Sequence, residues 1–223
     1  MPSSKIPGKK KMSIADGTRA HFSKATKAGK LIRTAFARLL FNIGDVQATG
    51  RLTSAMLKVI QTDDHHPYGM KSANTGSLSI LQGFEFNKKK EFGKTFFAPF
   101  EVDINRVTGV CTLKLPSFLP ETVVRLPQAD CQCRLVVAGG AFDFEVERYY
   151  ADIQTSEYFM QGKPATLVLR MQLPPNQHLP IILLMGVEFY KKVNDQYLLL
   201  YGGGPLALRV VHTSQLPVAA AGS

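Results

Sequence analysis

The chain has 223 residues, 45% of them hydrophobic, with 27 Lys and Arg against 17 Asp and Glu and a formal charge of +10. That is enough chain for one sizeable core, and too apolar for a disordered protein. No apolar run approaches the roughly 20 residues that cross a bilayer as a helix, and the three cysteines Cys111, Cys131 and Cys133 make no disulfide framework.

The charge is uneven. Residues 1–94 carry 13 Lys and 4 Arg against 6 acids, a net of +11, and residues 95–223 carry 4 Lys and 6 Arg against 11 acids, a net of −1. A basic segment of this kind suits a polyanion or the acidic face of another subunit, and also serves as a solvated face. No apolar stretch follows the first residues, so no secretory signal is read and a cytoplasmic location is expected.

Residues 1–17 are read as a flexible basic arm, broken by Pro2, Pro7, Gly8 and Gly17 and carrying Lys9, Lys10 and Lys11. From 23 to 41 the period is helical: Ala28, Leu31, Ile32, Ala35, Phe36, Leu39 and Leu40 share a stripe, with Lys24, Lys27, Lys30, Arg33 and Arg38 mostly off it. Ser23 is the expected N-cap. A second stripe, Leu52, Ala55, Met56, Val59 and Ile60, predicts a helix over 51–61, and the two make a helical hairpin spanning 18–63. Asp63, Asp64, His65 and His66 then offer the ligand types of zinc or iron. Four consecutive residues cannot all converge on one ion, so a solvated turn is expected there.

From 78 the period becomes two. Strands are predicted at 78–86, 100–104, 110–115, 122–126, 131–137, 142–146, 167–173, 181–192, 196–201 and 206–211, the fourth a short extended piece. Gly139 and Gly140 read as a turn, and Asn194 and Asp195 as the turn of a hairpin. The absence of βαβ alternation excludes a doubly wound sheet. The fold class is therefore mainly β: an N-terminal helical hairpin, packed against one edge or end, followed by an antiparallel β-sandwich of about nine short strands over 78–211. Residues 212–223 read as a tail.

Catalytic patterns are missing. Gly202, Gly203, Gly204 and Pro205 lack the Lys-Ser/Thr and helix of a phosphate loop, and no Gly-x-Ser-x-Gly elbow occurs. Asp143, Glu145 and Glu147 alternate as the wet face of a strand, and Cys131 and Cys133 share a strand face as small hydrophobes. No cofactor is expected.

Three stretches together, SKATKAGKLIR at 23–33, RLTSAMLKVIQTD at 51–63 and LQGFEFN at 81–87, resemble an uncharacterised family of short Bacteroidota proteins. The resemblance covers roughly residues 20–90, implies a bacterial origin and brings no activity or site residue with it.

The leading expectation is a non-enzymatic structural or binding module with a protein partner, self-assembling into a homo-oligomer through its basic N-terminal part. The alternative is a nucleic-acid-associated protein, in which Phe84, Phe86, Phe92, Phe96 and Phe97 interleave with lysines as a stacking platform. A sandwich-fold hydrolase would need carboxylates converging from several strands. The candidate contacts for a polyanion or partner are Lys9, Lys10, Lys11, Lys24, Lys27, Lys30, Lys88, Lys89 and Lys90.

Overall fold

The computed structural model describes residues 13–41, 43–128, 131–159, 162–194, 196–200 and 204–216. Lys9, Lys10 and Lys11, residue 201 that closes the expected strand 196–201, the glycines 202 and 203 of the break after it, and the tail beyond 216 lie outside them. The chain is mainly β, with two antiparallel sheets and a helical N-terminal region.

Helix α1 (Ile14–Ala35) starts nine residues earlier than the sequence suggests. Its cap is Ser13, whose hydroxyl accepts the Asp16 amide at 3.1 Å, and not Ser23. Residues 14–17 therefore belong to the helix and not to an arm. The helix breaks at Phe36, with φ −108° and ψ 23°, and a single further turn, α2 (Ala37–Leu40), follows. Helix α3 (Ala48–Gln61) runs back antiparallel, with Gly29 of α1 set against Leu52 and Thr53.

One sheet has the order β1 (Glu101–Asn105), β2 (Val110–Phe118), β5 (Ala165–Gln172). The other places β3 (Cys131–Asp143) between β4 (Arg148–Thr155) and β6 (Ile181–Val193). The far side of β6 is shared: β8 (Ala207–Ser214) pairs with its first half and β7 (Gln196–Leu199) with its second. The hairpin turn forms where expected, with Val193 opposite Gln196 and Asn194 at φ 48° in the left-handed region.

The central strands are covered on both faces. Leu135, Val137, Leu183, Met185 and Val187 meet Leu113, Leu115, Leu169 and Met171 of the three-stranded sheet in one apolar cluster. Val136, Ala138, Phe142, Ile182 and Leu184 meet Ile32, Phe36, Met56 and Ile60 of the helices in a second. The helices thus lie on the open face of the larger sheet, not at its edge. This explains why β6 reads as a continuous apolar run: a strand buried on both faces has no wet side to alternate with.

Several elements differ from the sequence reading. Residues Leu78–Leu81 form a 3-10 turn instead of a strand. Only 83–86 then runs along β8, through Gly83 N to Val210 O, Phe86 N to Leu208 O and Val210 N to Phe84 O. The extended piece at 122–126 is a helical turn, α4 (Pro120–Val123), followed by a single bridge from Val124 to Phe96. Gly139 and Gly140 are not a turn but the middle of the 13-residue β3. A Cβ on Gly140 would stand 2.7 Å from the Phe142 ring and 2.8 Å from the Phe36 ring; one on Gly139 would stand 3.3 Å from the Met171 sulfur. The pair lets a layer approach closely from each side. Asp143 ends β3, opposite Arg148, and Glu145 and Glu147 lie in the turn after it instead of continuing the strand, with Glu147 at φ 54°. The chain after 211 continues β8 to Ser214 instead of fraying.

Two glycine substitutions separate packing from propensity. Gly140→Ala forces the Phe36 and Phe142 rings apart and is expected to cost about 1–3 kcal/mol. Gly50→Ala, on α3 with nothing within 4 Å of the new Cβ, is expected to stabilise by roughly 0.5–1 kcal/mol. Urea midpoints of both variants check the pair.

Candidate functional site

The outer side of the helical layer is assembled around the loop that follows α3. Asp63 is fully buried at the end of that helix. Its carboxylate accepts the His65 amide at 3.0 Å, the Ser72 amide at 2.7 Å and the His66 ring Nδ1 at 2.8 Å. Burial works against the charge, but the hydrogen bonds from Ser72, Thr75, His66 and His65 outweigh it and bring the Asp63 pKa down to about 2. The acid therefore stays ionised, and the His66 ring nitrogen is the donor in their contact.

Helix α1 grips the same loop. Lys24 Nζ donates to the carbonyls of Met70 and Lys71 at 3.0 and 2.9 Å. The buried His21 accepts the Gly69 amide on Nε2 at 3.0 Å. Burial, and then the charges of Lys71 and Lys24, lower its pKa, so the ring is neutral with its proton on Nδ1. Tyr68 lies edge-on to His21 with ring centroids 4.9 Å apart, and its hydroxyl shares a hydrogen bond of 2.8 Å with Thr18. The ring occupies the space where a Cβ on Gly17 would be, so the glycine inside α1 has a packing reason.

Beside this joint runs a groove of about 710 Å³. Thr18, Arg19, Phe22, Ser23, Thr26 and Lys27 of α1 form one wall, with Leu57 and Gln61 of α3 opposite and Tyr68 at one end. Phe22 is 57% and Tyr68 50% exposed. Among the described residues that line it, none is acidic. The α1 positions recur at helical spacing, so the groove is a seam between two antiparallel helices with room on top.

The lysines singled out from the sequence do not form one surface. Besides its two carbonyls, Lys24 has Glu145 at 3.6 Å. Lys27 pairs with Glu147, and that partner raises its pKa. Lys30 stands exposed on α1. Lys88 faces a second groove of about 710 Å³, on the far side of α3, with Arg51, Lys58 and Glu85. Lys89 and Lys90 face a third recess with Lys94 and Arg125. The loop Lys88, Lys89 and Lys90 is spread this way by Asn87. Its side chain accepts the Lys89 amide at 3.1 Å and donates to Leu206 O at 2.9 Å, while Asp45 takes the Lys88 amide at 3.1 Å. Sequence reasoning missed Arg125, Phe22, Leu57 and Tyr68, because each acts with residues distant along the chain.

The other chemistry-bearing groups have structural partners. Asp143 accepts Asn74, Glu145 accepts the Ser72 hydroxyl, and so the turn after β3 ties sheet to helices. Cys111 and Cys133 are buried, which pushes their thiols up to about 11 and about 12. Among the described residues no three His, Cys, Asp or Glu gather as for a metal, and no helix is long and apolar enough to cross a membrane. Of the aromatic residues interleaved with lysine, Phe86, Phe92 and Phe96 are buried and Phe84 is half-buried, and Phe97, 50% exposed, has the Arg125 guanidinium over its ring at 5.9 Å. No family model, no curated protein and no solved structure matches the chain.

The loop anchor has a pH signature. The Asp63 pKa lies below the usual carboxylate value of 3.8. Its contribution, about 2 kcal/mol, is therefore complete above roughly pH 4 and is lost as pH falls through about 2. Asp63→Asn is expected to lower stability by about 2 kcal/mol at pH 7 and by much less near pH 2. Unfolding curves at the two pH values, run on both proteins, measure the difference.

Proposed function

We propose that the protein is a non-enzymatic binding module that seats an amphipathic helix of a partner protein in the groove between α1 and α3. The observation that carries this reading is the groove itself. It is a seam between antiparallel helices, floored by Phe22, Leu57 and Tyr68, with Arg19 and Lys27 on its wall and no acidic lining. A third helix laid along such a seam buries its own apolar stripe and completes a bundle, and acidic residues flanking that stripe would share Arg19 with Asp16 and Lys27 with Glu147.

Other features fit a binding role. The titratable groups nearest the groove are committed to holding it: His21 and Lys24 to the loop, Lys27 to Glu147. The nucleic-acid alternative has less support. Most of its stacking residues are buried, and Lys24 and Lys27 already have carboxylate neighbours. The hydrolase alternative has none, since Asp143, Glu145 and Glu147 hold Asn74, Ser72 and Lys27.

A labelled synthetic helix with a leucine stripe and glutamates flanking it is the probe, read by fluorescence anisotropy at low salt. Saturable binding is expected, weakened about tenfold or more by the double change Phe22→Ser and Leu57→Ser. Binding that never saturates, or an affinity indifferent to those changes, sinks the proposal. Light scattering of the protein alone distinguishes the self-assembling version: a homogeneous particle larger than one chain would make a second copy the occupant of this layer.

A further inference from the structure

A second site, separate from the groove, is formed where the Lys88, Lys89 and Lys90 loop meets the strand connection after β2. A recess of about 250 Å³ lies there, walled by Lys89, Lys90, Lys94 and Arg125, with Leu126 and Leu206 as apolar floor. The walls come from segments more than thirty residues apart in sequence, and each is fixed by buried groups. Asn87, only 6% exposed, holds the lysine loop through its own amide. The buried Thr95 donates its hydroxyl to Glu91 O at 2.9 Å and accepts the Arg125 amide on its carbonyl at 2.9 Å. Phe92 N, at the start of the next turn, is held by the Glu85 carboxylate at 3.0 Å.

The charge inside is unbalanced. Four cations face one carboxylate, Glu91, and that carboxylate is 2.9 Å from Lys94. Among the described residues no carboxylate lies within ion-pair distance of Lys89, Lys90 or Arg125. Like charges brought together repel, and the described residues supply no counter-charge for three of them. An external anion of two or more charges removes that repulsion. The guanidinium fork of Arg125 suits the oxygens of a phosphate in two-point contact, while the ammonium groups act as mobile point charges around it.

We propose that this recess binds a phosphate group of high charge, a pyrophosphate or a terminal phosphomonoester, with the small apolar floor beneath the rest of the ligand. A long nucleic acid would need a continuous basic track. Of the neighbouring described cations, Lys88 and Arg51 turn instead into the groove beside α3, where Arg51 is paired with Asp45 at 2.6 Å, and Arg209, beside Gly93, has Glu85 at 3.6 Å.

The test is calorimetric titration of the full chain with sodium pyrophosphate at low ionic strength. Saturable binding is expected, weakened about tenfold or more in the double variant Lys90→Gln, Arg125→Gln, since each loses a charge-assisted hydrogen bond. Lys30→Gln, exposed on α1, is expected to leave the affinity unchanged. Arg125 also lies over the Phe97 ring at 5.9 Å. If its loss lowers the melting temperature, Lys89→Gln, Lys90→Gln tests the same recess without that contact. Equal weakening by Lys30→Gln, or no saturable binding, overturns the proposal. A second arm uses phosphatidylcholine vesicles carrying phosphatidic acid. Sedimentation that the double variant abolishes places the phosphate on a lipid. Pyrophosphate binding without sedimentation places it on a soluble compound, and either result supports the site.

Discussion

The fold depends on one constraint: the β3–β6 pair is buried from both sides at once. Apolar side chains at alternate positions fill two separate clusters, one shared with the three-stranded sheet and one with the helices. Each large side chain so buried contributes on the order of 1.5–3 kcal/mol, and the same two strands collect this contribution on both faces. Such a strand has to admit two layers at close range. Gly139 makes room beside Met171 and Leu183, and Gly140 makes room for the Phe36 ring. The break in α1 at Phe36 is the matching feature on the other side, since it turns that ring onto Phe142, with centroids 5.7 Å apart.

With the helices fixed on the sheet, the polar groups on their flanks become fasteners. The turn after β3 reaches up to α1 through Glu145 and Glu147, and Asn74 and Ser72 of the helical loop reach down to Asp143 and Glu145. Gln215, beyond β8, donates to the carbonyls of Asn74 and Gly76 and accepts the Leu78 amide. Much of the basic character read from the sequence is used in this way. Lys89, Lys90 and Arg125, on the far side of the loop fixed by Asn87, gather in one recess without a carboxylate at ion-pair distance among the described residues. The apolar groove along α1 and this basic recess are therefore different surfaces with different chemistry.

Local patterns made part of this legible. The alternation at 100–104 and 167–173, the unbroken apolar run of β6 and the Asn194 turn each carry their signal within a few residues, and each forms close to where the sequence places it. The stripes of α1 and α3 are of the same kind. Misreadings arise where the reason for a residue lies elsewhere in the chain. Two adjacent glycines signal a turn unless Phe36 and Met171 are known to press on them. Gly17 looks like a helix breaker until Tyr68, fifty-one positions later, is found against it. Lys89 and Lys90 are visible as a cluster, but Arg125 joins them through the bridge of 123–125 to 95–97, with its amide on Thr95 O. A carboxylate in alternation, such as Glu145, looks solvated when its partner is a serine in another layer.

Native-state amide hydrogen exchange, followed residue by residue, tests the dependence on the doubly covered strands most directly. The account predicts that amides of the β3–β6 ladder, around 135–141 and 181–187, exchange only through global unfolding, while those of α1 and of β1 open earlier and independently. Amides of β3 and β6 that exchange faster than those of α1 or β1 would contradict it.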